Sequence, residues 1–182
     1  MRAFIAIPCP GDLRESLVKI QNQIKDLGRL RLVEPENIHL TLKFLGNVDE
    51  NRIDEIIKCL NKVSEIDGFD ISLRGVGVFP KPSYVRVVWV GVGNGGKEIK
   101  ELHTRIDQEL EALGFEREKR FSAHFTIARV KRIEDKKEFI KILNENSKRE
   151  FGDFYVKGIE LMKSELKRTG PVYSLVHRFD FE

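Results

Sequence analysis

The sequence predicts an α+β fold built from two similar lobes that face each other across a central cleft. Segments of alternating apolar and polar residues, typical of strands, are separated by amphipathic segments with helical spacing. A His-x-Thr motif occurs at 39–41 and again at 124–126, each time followed by a helical pattern and a glycine-containing strand. Neither unit could bury a core of this size alone. We therefore expect a pseudo-twofold duplication with two antiparallel-rich sheets facing the cleft and helices outside.

The composition suits one domain, residues 1–182, made of two intimately packed lobes. Hydrophobic residues make up 41% of the chain, which is enough for a substantial core. The formal net charge of +3 is too small to identify a polyanionic partner. No apolar run is long enough to span a membrane. The lack of a signal peptide and of any Cys-x-x-Cys pair predicts the reducing cytoplasm.

The first unit opens with an apolar strand over residues 2–7, which Pro8 ends. Asp12-x-x-Glu15 resembles a capping box and predicts the start of a helix, and Gly28 predicts its end. The buried face of this helix recurs at helical spacing and consists of Leu13, Leu17, Ile20, Ile24 and Leu27.

The first His-x-Thr motif lies in the next strand, residues 38–46. Asp49 is a candidate cap for the following helix. Two strands are then predicted around 71–79 and 85–92. The apolar face of the helix consists of Ile53, Ile56, Ile57, Leu60 and Val63.

The second unit follows a third helix, which Gly114 ends. Its His-x-Thr strand is predicted at 123–130 and its helix opens with Asp135-x-x-Glu138. Two closing strands are predicted near 154–163 and 172–181. The buried face of the third helix consists of Ile99, Leu102, Ile106, Leu110 and Leu113.

Both His-x-Thr motifs place an imidazole and a hydroxyl on one face of an otherwise apolar strand. Residues i and i+2 of a strand share a face, so His39 lies beside Thr41 and His124 beside Thr126. Two imidazoles across a cleft can act as general acid and general base near neutral pH. Two hydroxyls can donate to the non-bridging oxygens of a phosphate. The pattern therefore predicts in-line attack on a phosphodiester.

One His-x-Thr motif alone would be interpreted as a structural pair, but two at corresponding positions of a repeat favour catalysis. A metal site is not expected. Neither strand carries a third histidine, a cysteine or a carboxylate on the same face, and threonine is a poor zinc ligand.

Several further motifs accompany the histidines in a fixed order over nearly the whole chain. They are Arg2-Ala-Phe-Ile-Ala-Ile, Glu36-Asn-Ile-His-Leu-Thr-Leu-Lys-Phe-Leu-Gly46, Val85-Arg-Val-Val-Trp-Val-Gly-Val92, His124-Phe-Thr-Ile-Ala-Arg129, Ser164-x-Leu166 and Gly170-Pro-Val-Tyr173. This set resembles the two-histidine (2H) phosphoesterase superfamily. Within it, the set is most similar to the RNA 2′,3′-cyclic phosphodiesterases, historically called 2′-5′ RNA ligases.

The resemblance implies a bilobal, monomeric enzyme without metal or cofactor that opens RNA 2′,3′-cyclic phosphates to 2′-phosphomonoesters. Candidate substrates include the ends of tRNA halves. It also implies reversible, ATP-independent joining of RNA ends through a 2′-5′ bond. The resemblance favours His124 as the base and His39 as the acid, with Thr41 and Thr126 binding the phosphate. The internal symmetry of the two motifs leaves the opposite assignment of the histidines open.

Two cations are secondary candidates for the substrate phosphate. Alternation places Lys43 on the face of His39, where it could reach phosphate or remain a solvated lysine. Arg129 matches a position of the family, but alternation sends it to the face opposite His124, so the strand would have to bend.

Other aromatic and histidine residues are interpreted as structural. We expect Trp89 and Phe79 to pack in the core rather than stack on a base. His103 and His177 each lie among apolar residues at the spacing of their own element and are expected to be core residues.

Residues 91–97 fit a Gly-x-Gly-x-x-Gly pattern and nearly fit a P-loop. Neither a dinucleotide-binding fold nor a P-loop is predicted, however. Glu98 stands where a P-loop needs Ser or Thr. The segment 115–120 that follows the helix is highly charged and is not the buried strand of a dinucleotide fold. A flexible loop before a helix is expected instead.

Two alternatives to an RNA-end hydrolase remain open. One is a phosphodiesterase for a small cyclic nucleotide or for ADP-ribose cyclic phosphate. The other is an RNA-binding module that has lost turnover, although the four intact His and Thr residues argue against it.

Overall fold

The computed structural model describes all 182 residues and confirms the α+β class, with nine strands and four α helices. The strands are β1 (Arg2–Pro8), β2 (Gly28–Leu32), β3 (His39–Asn47), β4 (Phe69–Lys81), β5 (Tyr84–Val92), β6 (His124–Ile133), β7 (Glu150–Val156), β8 (Gly158–Lys167) and β9 (Gly170–Asp180). The helices are α1 (Gly11–Ile24), α2 (Ile53–Val63), α3 (Gly96–Glu111) and α4 (Lys136–Asn146). None of these helices combines the length and the apolar character that crossing a bilayer requires.

The strands form two antiparallel lobes that meet at the centre of one sheet. The order is β7-β4-β5-β6-β3-β1-β8-β9, and β2 pairs additionally with β6. A single residue pair, Leu40 with Phe125, connects β3 to β6. The two sheets that we expected are therefore joined at one point, between the two strands that carry the His-x-Thr motifs.

The strand order is symmetric about this junction, and each lobe contains strands from both halves of the chain. β1 lies outside β3 as β5 lies outside β6, and β8 lies outside β1 as β4 lies outside β5. The late strand β8 thus completes the lobe of β1 and β3, whereas the early strand β4 completes the lobe of β5 and β6. One cluster of 40 buried residues runs through both lobes.

The helix-start predictions hold at two of three positions. The Asp135 carboxylate accepts a hydrogen bond of 3.1 Å from the Glu138 amide, and Asp49 accepts one of 3.0 Å from the Asn51 amide just before α2. The capping box at Asp12 is wrong, because α1 begins at Gly11, after Pro10, without any side-chain cap. Proline at that position sets the turn without a side-chain acceptor.

The structure also differs from the sequence-based prediction in two strands. The segment 154–163, predicted as one strand, is divided at Lys157 into β7 and β8, which pair with β4 and β1 in opposite lobes. Strand β2 was not predicted, because Gly28 indicated only the end of a helix. A Cβ atom at Gly28 would lie 2.2 Å from the Arg132 carbonyl oxygen, so β2 can approach β6 here only with glycine.

The glycine-rich segment 91–97 joins β5 to α3 and forms no nucleotide fold. β5 pairs antiparallel with both of its neighbours, β4 and β6. A dinucleotide site would need a parallel βαβ unit at this place, so both rejections made from the sequence are consistent with the structure.

Candidate active site

The two His-x-Thr motifs face one cavity of about 750 Å³ at the junction of the lobes. His39 and Thr41 from β3, and His124 and Thr126 from β6, all line it. The intervening Leu40 and Phe125 are fully buried on the opposite face, as alternation requires. The structure therefore brings the four side chains predicted from the repeat to a single cavity.

Both imidazoles are oriented by a backbone carbonyl two residues earlier in the chain. Nδ1 of His39 lies 2.6 Å from the carbonyl oxygen of Asn37, and Nδ1 of His124 lies 2.7 Å from that of Ser122. A carbonyl oxygen only accepts hydrogen bonds, so each Nδ1 must carry a proton. Nε2 of each neutral ring is therefore the atom that can accept a proton. In His39, Nε2 lies 2.8 Å from Oγ1 of Thr41.

The surroundings lower the pKa of both histidines below the ordinary value. Burial is the largest cause in each case, because it disfavours the charged ring, while the carbonyl hydrogen bonds of Asn37 and Ser122 oppose it. The positive charge of Arg129 lowers both pKa values further, and His124 lowers that of His39. An anionic phosphate bound between the rings would act in the opposite direction and favour protonation of one of them.

Aromatic rings enclose each imidazole. Phe4 stacks on His39 with a centroid distance of 4.9 Å, and Tyr173 packs edgewise on the same ring at 5.5 Å. Phe79 packs edgewise on His124 at 5.0 Å and lines the cavity, so it is not the core residue that we expected. Phe4 and Tyr173 were not predicted as site residues, although both lie in motifs of the family resemblance. These contacts restrict rotation of the two imidazole rings.

A β-bulge in β3 turns Lys43 into the protein interior, although the residue still forms part of the cavity wall. The register against β1 shifts after Ile5 and leaves Leu42 as an extra residue, so alternation is reversed beyond it. Lys43 is only 2% exposed, its ammonium group pairs with the Asp107 carboxylate of α3, and it donates a 2.8 Å hydrogen bond to the Glu116 carbonyl. Since its ammonium group is held by Asp107 and Glu116, Lys43 is not expected to bind the substrate phosphate.

The same irregularity in β6 brings Arg129 to the cavity. The register against β5 shifts at Val88 and leaves Ile127 as the extra residue. Beyond it Arg129 lies on the face of His124 and lines the cavity. The bend that this prediction required is therefore present. Phe44 occupies the corresponding position in β3, is 64% exposed and lines the cavity as well.

Asp107 and His103 of α3 anchor the loop that precedes His124. The Asp107 carboxylate accepts a 2.9 Å hydrogen bond from the Glu118 amide, in addition to its pairing with Lys43. His103 stacks on Phe121 at a centroid distance of 3.9 Å, and its Nδ1 lies 2.8 Å from the Leu42 carbonyl. The structural role expected for His103 is confirmed. The loop ends at the carbonyl that orients His124, so this buried network connects the bulge of β3 to the imidazole of β6.

His177 and Trp89 are half-buried and lie outside the buried core, so the core packing expected for them is only partial. His177 packs against Phe179 at 4.6 Å and does not line the cavity. Trp89 packs against Phe79 at a centroid distance of 5.1 Å and lies 6.3 Å from the His124 ring. No group of three or more His, Cys, Asp or Glu side chains in the structure could hold a metal ion.

Comparison with known proteins matches the two halves of the chain separately. The family model described as LigT-like phosphoesterase matches residues 7–89 and again residues 90–173. The RNA 2′,3′-cyclic phosphodiesterase of Methanocaldococcus jannaschii is 40% identical over 176 residues, which cover 97% of this chain and 98% of the relative. The protein of the same name from Archaeoglobus fulgidus is 38% identical and covers 99% of this chain and 100% of its own.

Solved structures agree with the fold. The crystal structure of TT0787 of Thermus thermophilus superposes with a TM-score of 0.83 at 27% identity and covers 100% of this chain and 98% of its own. The E. coli LigT complex with 3′-AMP gives a TM-score of 0.76 at 23% identity, covering 99% of this chain and 96% of its own. The second likeness concerns the fold alone.

Proposed function

Because the chain belongs to the LigT-like phosphoesterase family, we propose that it hydrolyses RNA 2′,3′-cyclic phosphate ends to 2′-phosphomonoesters. The observation that carries the proposal is the pair of His-Thr sets that face one cavity, with both Nδ1 atoms held by carbonyls. This arrangement offers two Nε2 atoms for proton transfer and two hydroxyls for one phosphate. The relatives that carry this activity in their names support the choice of substrate.

In the proposed reaction the two histidines act on opposite sides of the phosphorus atom. Nε2 of His124 takes a proton from a water molecule, whose oxygen forms the new bond to phosphorus. The bond from phosphorus to O3′ breaks, and the protonated Nε2 of His39 donates its proton to O3′. The phosphate remains on O2′, His39 becomes neutral and His124 becomes charged. Proton exchange with solvent restores the starting state.

The threonines and Arg129 stabilise the phosphate during this step. The hydroxyls of Thr41 and Thr126 donate to non-bridging oxygens, and Arg129 supplies a positive charge to the same anion. In the free enzyme, Thr41 is hydrogen-bonded to Nε2 of His39. A phosphate that accepts from Thr41 would release this nitrogen for proton transfer to O3′. Binding and activation of the acid are thus coupled through one hydroxyl.

The same site would support joining of RNA ends. With a ribose hydroxyl in the place of water, attack on the cyclic phosphate would form a 2′-5′ bond by the same two proton transfers, without ATP. We place this activity second to hydrolysis, because water is the more abundant nucleophile in a cavity open to solvent.

We also propose that residues 1–182 act as a single domain and as a monomer in the cytoplasm, on RNA ends that include those of tRNA halves. The single cluster of buried residues across both lobes supports one domain. A site whose four central side chains come from one chain supports a monomer.

The first test is turnover in the presence of excess EDTA. The purified protein is incubated with an RNA that ends in a 2′,3′-cyclic phosphate, and the product is analysed for a 2′-phosphate. We expect unchanged rates with the chelator, because the mechanism uses only imidazoles, hydroxyls and Arg129. The same RNA with a linear 3′-phosphate is the control and should remain unchanged. Loss of turnover on chelation, restored by Zn²⁺ or Mn²⁺, would contradict the mechanism.

A second test uses the pH dependence of kcat/KM, which should be bell-shaped because one ring must be neutral and the other charged. Burial is the main cause of the low histidine pKa values and Arg129 adds to it. Arg129→Gln removes a positive charge, so both pKa values rise and both limbs move to higher pH. We also expect kcat/KM to fall on the order of 10–100-fold, the effect of losing a hydrogen bond from a charged group.

Arg129→Lys is the control for this test, because it keeps the charge. Its pH optimum should stay at the wild-type position even if its rate falls through loss of the guanidinium geometry. An optimum that is unchanged or lower in Arg129→Gln would exclude Arg129 as an electrostatic neighbour of the histidines.

A further inference from the structure

Four positions of the sheet place two charged residues directly opposite each other on paired strands. Two of them combine opposite signs, Arg74 with Glu150 and Glu160 with Arg178. The other two combine like charges, Arg29 with Arg132 and Arg31 with Arg129. Both like-charge pairs join the same two strands, β2 and β6.

These four arginines form a row that leads out of the catalytic cavity, here called the arginine track. Arg31 and Arg129 line the cavity. Arg29 lies two residues before Arg31 in the regular strand β2, on the same face and about 6.6 Å further along. Arg132, opposite Arg29, lies outside the cavity, and all four side chains are exposed.

The arginine track is electrostatically unfavourable without a ligand. Like charges that lie directly opposite in an antiparallel pair destabilise a sheet, whereas opposite charges stabilise it. Only Arg132 has a carboxylate within ion-pair distance, Glu134 at 3.0 Å. Arg29, Arg31 and Arg129 have none. Since the other charged pairs of the sheet have complementary signs, the two arginine pairs indicate a site for an extended anion.

We propose that the arginine track binds the ribose-phosphate backbone of the nucleotides that precede the terminal cyclic phosphate. This inference rests on the proposed function and narrows its substrate class. The terminal phosphate occupies the cavity beside Arg129, and the upstream phosphates follow Arg31 towards Arg29 and Arg132. Contacts to phosphate carry no information about the bases. The arginine track is therefore expected to favour longer RNA substrates, whatever their base sequence. The protein is then an enzyme of RNA ends rather than of free cyclic nucleotides.

The test compares two substrates in Arg29→Gln/Arg132→Gln, which changes only the part of the arginine track outside the cavity. One substrate is 2′,3′-cyclic AMP, and the other is an oligoribonucleotide of about ten residues that ends in the same cyclic nucleotide. We expect the ratio of kcat/KM, oligonucleotide over mononucleotide, to fall by about 10-fold or more. The dependence of oligonucleotide kcat/KM on salt should also weaken, by about 1.4 in logarithmic slope for two lost phosphate contacts.

The matched control is Lys137→Gln/Lys141→Gln, which removes the same charge from exposed positions of α4. Its substrate ratio should equal that of the wild type. An unchanged ratio in the arginine variant, or an equal fall in the lysine variant, would overturn the proposal, because net charge alone would then explain the data.

A second variant separates binding from folding. Arg29→Glu converts the pair with Arg132 into one of opposite sign, so the unfolding temperature should rise. The ratio of kcat/KM, oligonucleotide over mononucleotide, should fall further than with glutamine. A lower unfolding temperature together with an unchanged ratio would assign the two arginines a structural role instead.

Failure of the proposed function is distinguishable from failure of the arginine track. If the wild type turns over neither substrate, the proposed activity is wrong. The affinity of the variants for an oligoribonucleotide that ends in a 2′-phosphate, measured by fluorescence anisotropy, then tests whether the arginine track binds RNA. Weaker binding in Arg29→Gln/Arg132→Gln than in the lysine variant would support it, and equal binding would overturn it.

Discussion

Replacement of His39 or His124 by alanine is expected to lower kcat on an RNA 2′,3′-cyclic phosphate by about 10²–10⁴-fold, the usual share of general acid–base catalysis. In the proposed mechanism both rings contribute Nε2 to the same reaction step, since each Nδ1 is already bonded to a carbonyl. The double variant should therefore be little slower than the slower single variant. His177→Ala is the control and should retain nearly full activity, because His177 does not line the cavity.

Wild-type turnover by either single variant would contradict the catalytic assignment. The roles of the two histidines are tested with a substrate whose 3′ leaving group is much better than a ribose hydroxyl. Such a group needs no acid, so it should rescue His39→Ala far more than His124→Ala. Rescue of His124→Ala alone would reverse the two roles, which the symmetry of the motifs permits on chemical grounds.

Lys43→Met is expected to lower the free energy of unfolding by about 3–5 kcal/mol, because the buried Asp107 carboxylate loses its hydrogen-bonded cation and keeps only Arg117, at 3.8 Å. The side chains of Lys43 and Asp107 are 2% and 4% exposed. Burial alone would raise the pKa of Asp107, but the hydrogen bonds from Lys43 and the Glu118 amide hold it below the ordinary value. Chemical denaturation at neutral pH, followed by far-ultraviolet circular dichroism, measures the effect.

The sign of the pH dependence follows from this lowered pKa. The stabilisation by ionised Asp107 is complete above the unfolded pKa of roughly 3.9 and is lost as the pH falls through the folded pKa. The difference between wild type and Lys43→Met should therefore shrink in acid. Lys97→Met is the control, since its ion pair with Glu101 is exposed and worth about 0–1 kcal/mol.

Lys43→Met/Asp107→Leu separates stability from positioning. Replacing both members of a buried ion pair by apolar residues is often neutral or stabilising, so much of the lost free energy should return. The Glu118 amide and the Glu116 carbonyl still lose their anchors, and the loop that orients His124 through Ser122 is released. We expect stable protein with reduced kcat. Full activity in this double variant would show that the network serves stability alone.

The meeting of the four candidate catalytic side chains at one cavity could be predicted, because their signal is local and repeated. His39 with Thr41, and His124 with Thr126, need only strand alternation and the recognition of two equal units. Lys43 and Arg129 lie beyond the bulges at Leu42 and Ile127, where alternation reverses. A bulge depends on pairing with the neighbouring strand and leaves no mark on the apolar pattern.

Other features depended on partners that are distant in the sequence. Asp107 lies between Ile106 and Leu110 on the apolar face of α3. Only the structure shows that its partners are Lys43, Arg117 and the Glu118 amide. Strand β2 is five residues long and is defined by pairing with β6 a hundred residues later. An acid on an apolar helical face is a signal that could have indicated a buried polar network.

The exchange of strands between the lobes has a consequence for the synthesis of the chain. β1 emerges first from the ribosome, yet its partner β8 begins at Gly158. At about 5–20 residues per second, one edge of β1 stays unpaired for roughly 8–30 seconds. That edge belongs to an apolar strand and can template pairing with other nascent chains. Neither half, released alone, could close its own lobe, so a chain interrupted near residue 90 should be a target for chaperones and proteases rather than a functional fragment.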